Sequence, residues 1–202
     1  NFFVTLKGTD RFCEAYIIQF WPPGYHSILA LVFSIFGNTE NVAFNLSVII
    51  ASLSILIIFL VSYLLFSKEN IALFTAFLFN LIPVHLKYSG ASEPGIASLF
   101  FILVTIFCSL IYLKFSNFKT LFLLIFTGAF TIYTRPENSI LLLLIPLFII
   151  IYANTRYFER EKIYFHIVSA IGLLSLLLIP YFMQIYLGLF VTPPPGWRES
   201  LL

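Results

Sequence analysis

An arginine and a glutamate lie within the most apolar part of the chain. Thr134-Arg135-Pro136-Glu137-Asn138 forms a hinge between two apolar runs, residues 120–133 and 139–152. Charges at membrane depth are costly unless they pair, face a wet cavity or hold a charged ligand. A guanidinium stays charged there and binds two phosphate oxygens at once. We therefore interpret the hinge as part of an active site in which Arg135 binds an anion and Glu137 orients it. A mutual structural ion pair is the alternative.

The two runs beside this hinge are too short to cross a bilayer. Each has about 14 residues, which is about 21 Å of helix, whereas the apolar core of a bilayer is about 30 Å thick. Pro136 lacks an N–H group and disfavours helical backbone at Arg135. The sequence therefore predicts an open backbone and a polar pocket below the membrane surface.

The composition requires a membrane environment. Hydrophobic residues make up 60% of the 202 residues and charged residues 10%, which is too little polar surface for a soluble domain. We predict an all-α, multi-pass integral membrane helical bundle with one transmembrane domain over residues 1–202. Because the chain opens on Asn1 without a signal peptide, we expect it to be a fragment of a longer protein.

Apolar runs and breakers define the predicted elements. Four segments follow along the chain: an outer loop at 1–23, a short interfacial or re-entrant helix at 24–37, about six membrane helices within 41–190, and an outer polyproline-like segment at 191–202. The predicted membrane helices cover residues 42–66, 71–88, 95–113, the two short runs and 164–187.

Prolines and a serine mark breaks and starts within these helices. Pro83 is expected to bend the span at 71–88, and Pro180 to interrupt the last span. Ser92 is expected to cap the next helix, whose first turn suits Glu93 and Pro94.

The loops alternate between the two sides of the membrane. The loops at 67–70, 114–119 and 154–162 share one side, and the cluster Arg156, Arg160 and Lys162 makes that side cytoplasmic. The outer side then holds Trp21–His26, Lys87–Pro94, Arg135–Glu137 and Pro193–Arg198. Lysines and arginines on the outer side oppose the positive-inside trend, and an anionic ligand would explain their presence there.

Three short motifs carry a family resemblance. Trp21-Pro22-Pro23-Gly24-Tyr25 leads into an apolar run ending in Phe36-Gly37, Ser89-Gly90-Ala91-Ser92-Glu93-Pro94 opens a helix, and Thr134-Arg135-Pro136-Glu137 opens another. In order and spacing, these motifs resemble the GT-C superfamily of polyprenyl-phosphate-sugar-dependent glycosyltransferases. That group includes the dolichyl-phosphate-mannose protein mannosyltransferases and the aminoarabinose lipid A transferases.

The resemblance implies transfer of a sugar from a polyprenyl-phosphate donor, dolichyl or undecaprenyl, to a lipid, protein or glycan acceptor. The reaction would take place at the outer face of the cytoplasmic membrane, among membrane lipids. Such enzymes carry an acidic residue on the loop that follows their first membrane helix. The sequence begins without a counterpart of that helix, so we expect the acidic residue to lie upstream of Asn1. Asp10 is the nearest candidate in this chain and Glu14 the next. A solvated loop carboxylate is the alternative for Asp10.

Three further outer residues suit substrate binding. Lys87 could be a second cation, although snorkelling to the interface also explains it. Glu93 could bind a sugar hydroxyl or a metal, or merely complement the helix dipole. His26 could face the outer cavity, or lie on a helix surface.

Several classes of function find no support. No cofactor is evident, and a divalent metal is unsupported because no His, Cys and carboxylate cluster has ligand spacing. There is no glycine-rich phosphate loop and no basic patch for nucleic acid. A multi-pass transporter or permease is the rival, because transport sites also use proline-broken helices and buried charges. The gathering of polar groups on one side, and the lack of an inverted repeat, favour the enzyme. An inactive helical scaffold is a third alternative.

Overall fold

The chain is α-helical throughout most of its described length, which confirms the predicted fold class. The computed structural model describes residues 3–4, 13–14, 23–141 and 160–190. The chain divides into two compact units: one is Pro22–Leu178, and the other combines Asn1–Trp21 with Ile179–Leu202. In the second unit, β1 (Phe3–Val4) pairs with β2 (Cys13–Glu14) in an antiparallel ladder of two residues each.

Seven helices are labelled here in chain order. They are α1 (Gly24–Phe36), α2 (Glu40–Phe66), α3 (Glu69–Asn80), α4 (Pro83–Ser89), α5 (Pro94–Phe115), α6 (Phe118–Thr134) and α7 (Arg160–Phe190). A 3-10 turn, Pro136–Ser139, follows α6. The predicted run at 139–152 lies outside the described residues from position 142 onward.

Three described stretches are long and apolar enough to cross a membrane: Glu40–Phe66, Pro94–Phe115 and Phe165–Met183. By contrast, α1 has 13 residues and α6 has 17. At 1.5 Å per residue these reach about 20 Å and about 25 Å, short of a bilayer core of about 30 Å. The described chain is therefore a membrane protein in which full spans alternate with short helices.

The two predictions about prolines have different outcomes. The bend predicted at Pro83 is confirmed, because α3 and α4 meet at 65° on either side of it, and the pair together is long and apolar enough for one broken span. Pro83 lacks an N–H and stands at the first position of α4, so the break is complete. Pro180 does the opposite of what was predicted, since α7 continues through it. Membrane helices tolerate proline when the surroundings satisfy the freed carbonyl.

Small residues hold the helices of the unit Pro22–Leu178 together. The face of α2 toward its neighbours carries buried Ala43, Ser47, Ala51 and Ser54, and α3 buries Ala72 and Ala76. Small side chains let membrane helices approach closely. Large apolar side chains point outward instead, among them Phe44, Leu53, Phe74, Phe77 and Phe126. This is the arrangement expected of a chain surrounded by lipid.

Candidate functional site

The start of α1 touches the end of α6. At Gly24, an added Cβ would lie 2.5 Å from the carbonyl oxygen of Tyr133 and 2.9 Å from the backbone nitrogen of Thr134. Real Cβ atoms do not approach backbone this closely, so glycine is needed for the contact. The Pro-Pro-Gly motif therefore lies directly against the residues that precede Arg135.

The next residue joins α1 to the turn before α5. Tyr25 is 2% exposed, and its hydroxyl shares a hydrogen bond of 3.2 Å with the Ser92 hydroxyl. The expectation that Ser92 caps α5 is therefore wrong. Glu93 occupies the N-cap position, without a side-chain cap, and Pro94 is the first helical residue. An exposed hydroxyl beside a helix start can bond a local N–H or a distant partner, and here the partner is Tyr25.

The hinge itself is bonded to both α5 and α6. The amide Nδ2 of Asn138 donates to the Ser98 hydroxyl at 2.8 Å and to the Thr131 carbonyl at 3.0 Å. That carbonyl also accepts the Arg135 N–H at 3.3 Å and the Thr134 hydroxyl at 2.6 Å. Residues that follow α6 thus satisfy a carbonyl group of its last turn by hydrogen bonds.

These contacts bring the three sequence motifs to one place. We call this place the turn cluster; its members are Gly24, Tyr25, Ser92, Ser98, Thr131 and Thr134–Asn138. Two helices, α1 and α5, begin here, and helix N-termini favour anions. The helix α6 ends here, and a cation is favourable at such an end.

Arg135 is the cation at this place. Its backbone is extended, with φ −154° and ψ 130°, as predicted from the proline that follows. The side chain is half-buried, and its Nε is buried without a hydrogen-bond partner among the described residues. A buried donor left unpaired costs about 1–3 kcal/mol. One donor of the guanidinium, Nε, is therefore unsatisfied within the described part of the chain.

Glu137 does not pair with Arg135. Its side chain is exposed, and no described acidic side chain makes an ion pair with Arg135. The mutual ion pair left open by the sequence is therefore not formed here. An orienting role for Glu137 through a direct contact is likewise absent from the described contacts.

The remaining predicted residues occupy varied surroundings. His26 is half-buried and packs edge-on against Tyr25, with ring centroids 5.8 Å apart. Lys87 is exposed on α4, with its ammonium 5.9 Å from the neighbouring Tyr88 ring. Glu93 is exposed beside Ser92. Asp10 lies outside the described residues. Among those that are described, no three His, Cys, Asp or Glu side chains lie together as a metal site would require.

Sequence reasoning gave no role to three residues that build the cluster. Asn138 was part of the quoted hinge, and Gly24 part of a quoted motif, yet neither was assigned a contact. Ser98 was not identified at all. A lone serine in an apolar run, four residues after Pro94, was its only signal.

One comparison with known proteins identifies a family. The sequence profile described as "Dolichyl-phosphate-mannose-protein mannosyltransferase" matches residues 21–182, a range that contains every member of the turn cluster. No curated protein and no solved structure gives a significant match. The profile covers most of the chain and agrees with the GT-C resemblance. The chain therefore belongs to the dolichyl-phosphate-mannose-protein mannosyltransferase family of membrane glycosyltransferases.

Proposed function

We propose that the protein transfers a sugar from a polyprenyl-phosphate donor to a lipid, protein or glycan acceptor at the outer face of the cytoplasmic membrane. Arg135 binds the phosphate of the donor in this proposal. The observation that carries it is the half-buried guanidinium whose Nε has no partner among the described residues. The family match supports a glycosyltransferase in general, and nothing in the match favours a transporter.

The chemistry requires charge stabilisation at the phosphate. An acceptor oxygen attacks the anomeric carbon, the bond from that carbon to the phosphate oxygen breaks, and a carboxylate takes the acceptor proton. Negative charge grows on the departing phosphate, so fixed cations and helix N-termini that face it lower the barrier. Arg135 and the starts of α1 and α5 supply such groups in one place.

The other candidate residues keep subordinate roles in the proposal. Glu93 and His26 would contact the sugar or phosphate, the exposed Lys87 would add only a solvent-screened positive charge on the outer side, and Glu137 would adjust the field around Arg135. The base is a carboxylate, for which Asp10 is the candidate within this chain. No metal or cofactor is part of the proposal.

Helix length supports placement of the reaction near one surface of the membrane. The helix α6 is only about 25 Å long. If Phe118 lies at the cytoplasmic interface, Arg135 therefore lies a few ångströms below the outer interface. A lipid phosphate lies at this depth, whereas its polyprenyl tail would extend between the spans. The lysines at the other end of α5 and α6, Lys114 and Lys119, support the cytoplasmic assignment of that end.

The test replaces Arg135 by Ala in the intact protein. Membranes are supplied with polyprenyl-phosphate-mannose and native acceptors, and release of polyprenyl phosphate is measured. Loss of the phosphate ligand predicts a fall in turnover of about a hundredfold or more. The matched control is Lys119→Ala, which removes an exposed cation at the opposite end of α6 and leaves turnover unchanged. Wild-type turnover by Arg135→Ala protein would falsify the phosphate role.

A further inference from the structure

Asn138 connects the hinge to two helices through one side chain. It is 9% exposed and lies in the 3-10 turn three residues after Arg135. Its amide nitrogen has two N–H groups, and both find acceptors, the Ser98 hydroxyl on α5 and the Thr131 carbonyl on α6. The turn that carries Arg135 is therefore anchored to two different helices.

The backbone transmits this anchoring to Arg135. The N–H of Asn138 donates to the carbonyl of Arg135 at 3.2 Å, and the N–H of Arg135 donates to Thr131. The carbonyl of Arg135 is thus hydrogen-bonded to Asn138, and its N–H is hydrogen-bonded to α6. Because the backbone is extended there, the direction in which the arginine side chain leaves α6 depends on these bonds.

Ser98 differs from other buried serines in how it uses its hydroxyl. Ser47 and Ser54 donate to carbonyls four residues earlier in their own helix, which is the usual arrangement in an apolar helix. Ser98 is also buried, at 4% exposed, but its hydroxyl accepts from Asn138. The Ser98 hydroxyl is therefore bonded to the hinge, whereas the hydroxyls of Ser47 and Ser54 are bonded within α2.

We propose that Asn138 and Ser98 are positioning residues, which hold Arg135 in the orientation that binds the phosphate group of a lipid ligand. This inference rests on the proposed function, because it presupposes the ligand of Arg135. It assigns α5 a second role besides that of its N-terminus, through a residue that does not touch the ligand.

The first test changes Ser98, which leaves the hinge sequence intact. The dissociation constant of undecaprenyl phosphate is measured for the intact protein in lipid nanodiscs. Ser98→Ala removes one acceptor of the Asn138 amide, and a typical hydrogen-bond contribution predicts affinity weakened about two- to tenfold. Ser98→Thr keeps a hydroxyl and restores most of the affinity. Ser54→Ala is the matched control, because it deletes a buried serine hydroxyl bonded within its own helix, and it leaves the affinity unchanged.

The second test separates positioning from a general loss of structure. Asn138→Ala removes both side-chain bonds and weakens affinity more than Ser98→Ala does. In an Arg135→Ala background, where the lipid tail retains a residual affinity, both substitutions should have no further effect. A change that acts only through Arg135 is non-additive with its removal, whereas a structural defect is additive. Should Asn138→Ala fail to fold, the Ser98 variants decide the question.

The outcomes distinguish this inference from the proposed function. Wild-type affinity in Arg135→Ala overturns the phosphate role, and the positioning inference with it. Weak binding by Arg135→Ala together with wild-type binding by Ser98→Ala overturns only the positioning inference. The same holds if the loss caused by Ser98→Ala persists in full in the Arg135→Ala background.

Discussion

The two ends of the helices in the unit Pro22–Leu178 use their polar groups differently. At the turn cluster, hydrogen bonds join residues that are far apart in sequence, such as Tyr25 with Ser92 and Asn138 with Ser98. At the opposite end, the connection between α5 and α6 uses bonds between near neighbours, and the one long-range bond described there is that of 2.7 Å between the Tyr112 hydroxyl and His166 on α7. Asn117 caps α6 by accepting from the Thr120 N–H at 2.8 Å, and Ser116 ends α5 in the left-handed conformation with φ 49°.

The cations at the two ends differ in the same way. Lys68, Lys114 and Lys119 at the opposite end are all exposed, so water satisfies them. Arg135 at the turn cluster is half-buried, with an unpartnered Nε in the described part of the chain. Local capping is what any helix connection needs, whereas long-range bonding around an unsatisfied cation is the arrangement expected of a binding site.

The largest expected effect comes from breaking the backbone contact between α1 and the hinge. Gly24→Ala places a methyl group against the Tyr133 carbonyl, and overpacking of this kind costs about 1–3 kcal/mol. We expect a lower midpoint of thermal unfolding in detergent and reduced sugar transfer. Gly90→Ala is the matched control, because nothing lies within 4 Å of an added Cβ there. Equal behaviour of the two variants would contradict the contact.

A smaller effect is expected from the opposite end. Asn117→Ala removes the cap of α6, and loss of a cap costs about 1 kcal/mol. The unfolding midpoint should fall, but turnover per folded molecule should stay at the wild-type value, because the change is confined to a local connection. A drop in turnover with an unchanged midpoint would show that the two ends are not functionally separate.

The smallest effect is expected at Lys87, the second cation predicted for the outer side. Lys87 is exposed, and its described aromatic contact is with the adjacent Tyr88, so Lys87→Ala removes a group that water already screens. Donor KM and kcat should each change by less than about twofold, since an exposed charge contributes little. A large rise in KM would instead make Lys87 a phosphate ligand and extend the binding site to α4.

Local chemistry explains which structural features were predictable. The bounds of α2, α5 and α6 agree with their apolar runs to within two residues. A run of apolar residues and the polar residues that end it fix the helix bounds locally, within a few residues. The extended backbone of Arg135 follows from the ring of Pro136. The bend at Pro83 was predicted from its ring and missing N–H, whereas its angle of 65° depends on what α3 and α4 each pack against.

Hydroxyl and amide side chains were less predictable, because each has two or more comparable partners. Ser92 was expected to cap a helix and instead bonds Tyr25. Ser98 looks in sequence like Ser47 or Ser54, yet only its contact with Asn138 crosses to the hinge. Arg135 and Glu137 were compatible with an ion pair or with separate roles, and the structure leaves Arg135 half-buried and Glu137 exposed, without an ion pair between them.

By itself, the sequence determined that the protein is α-helical and belongs in a membrane, where α2, α5 and α6 start and stop, and which cation stands beside a proline. Those features follow from apolar content and from backbone restrictions within a few residues. Only the tertiary structure decided that Gly24, Ser92 and Arg135 belong to one cluster and that Asn138 reaches Ser98, because residues separated by 40 or more positions meet only once helices have packed.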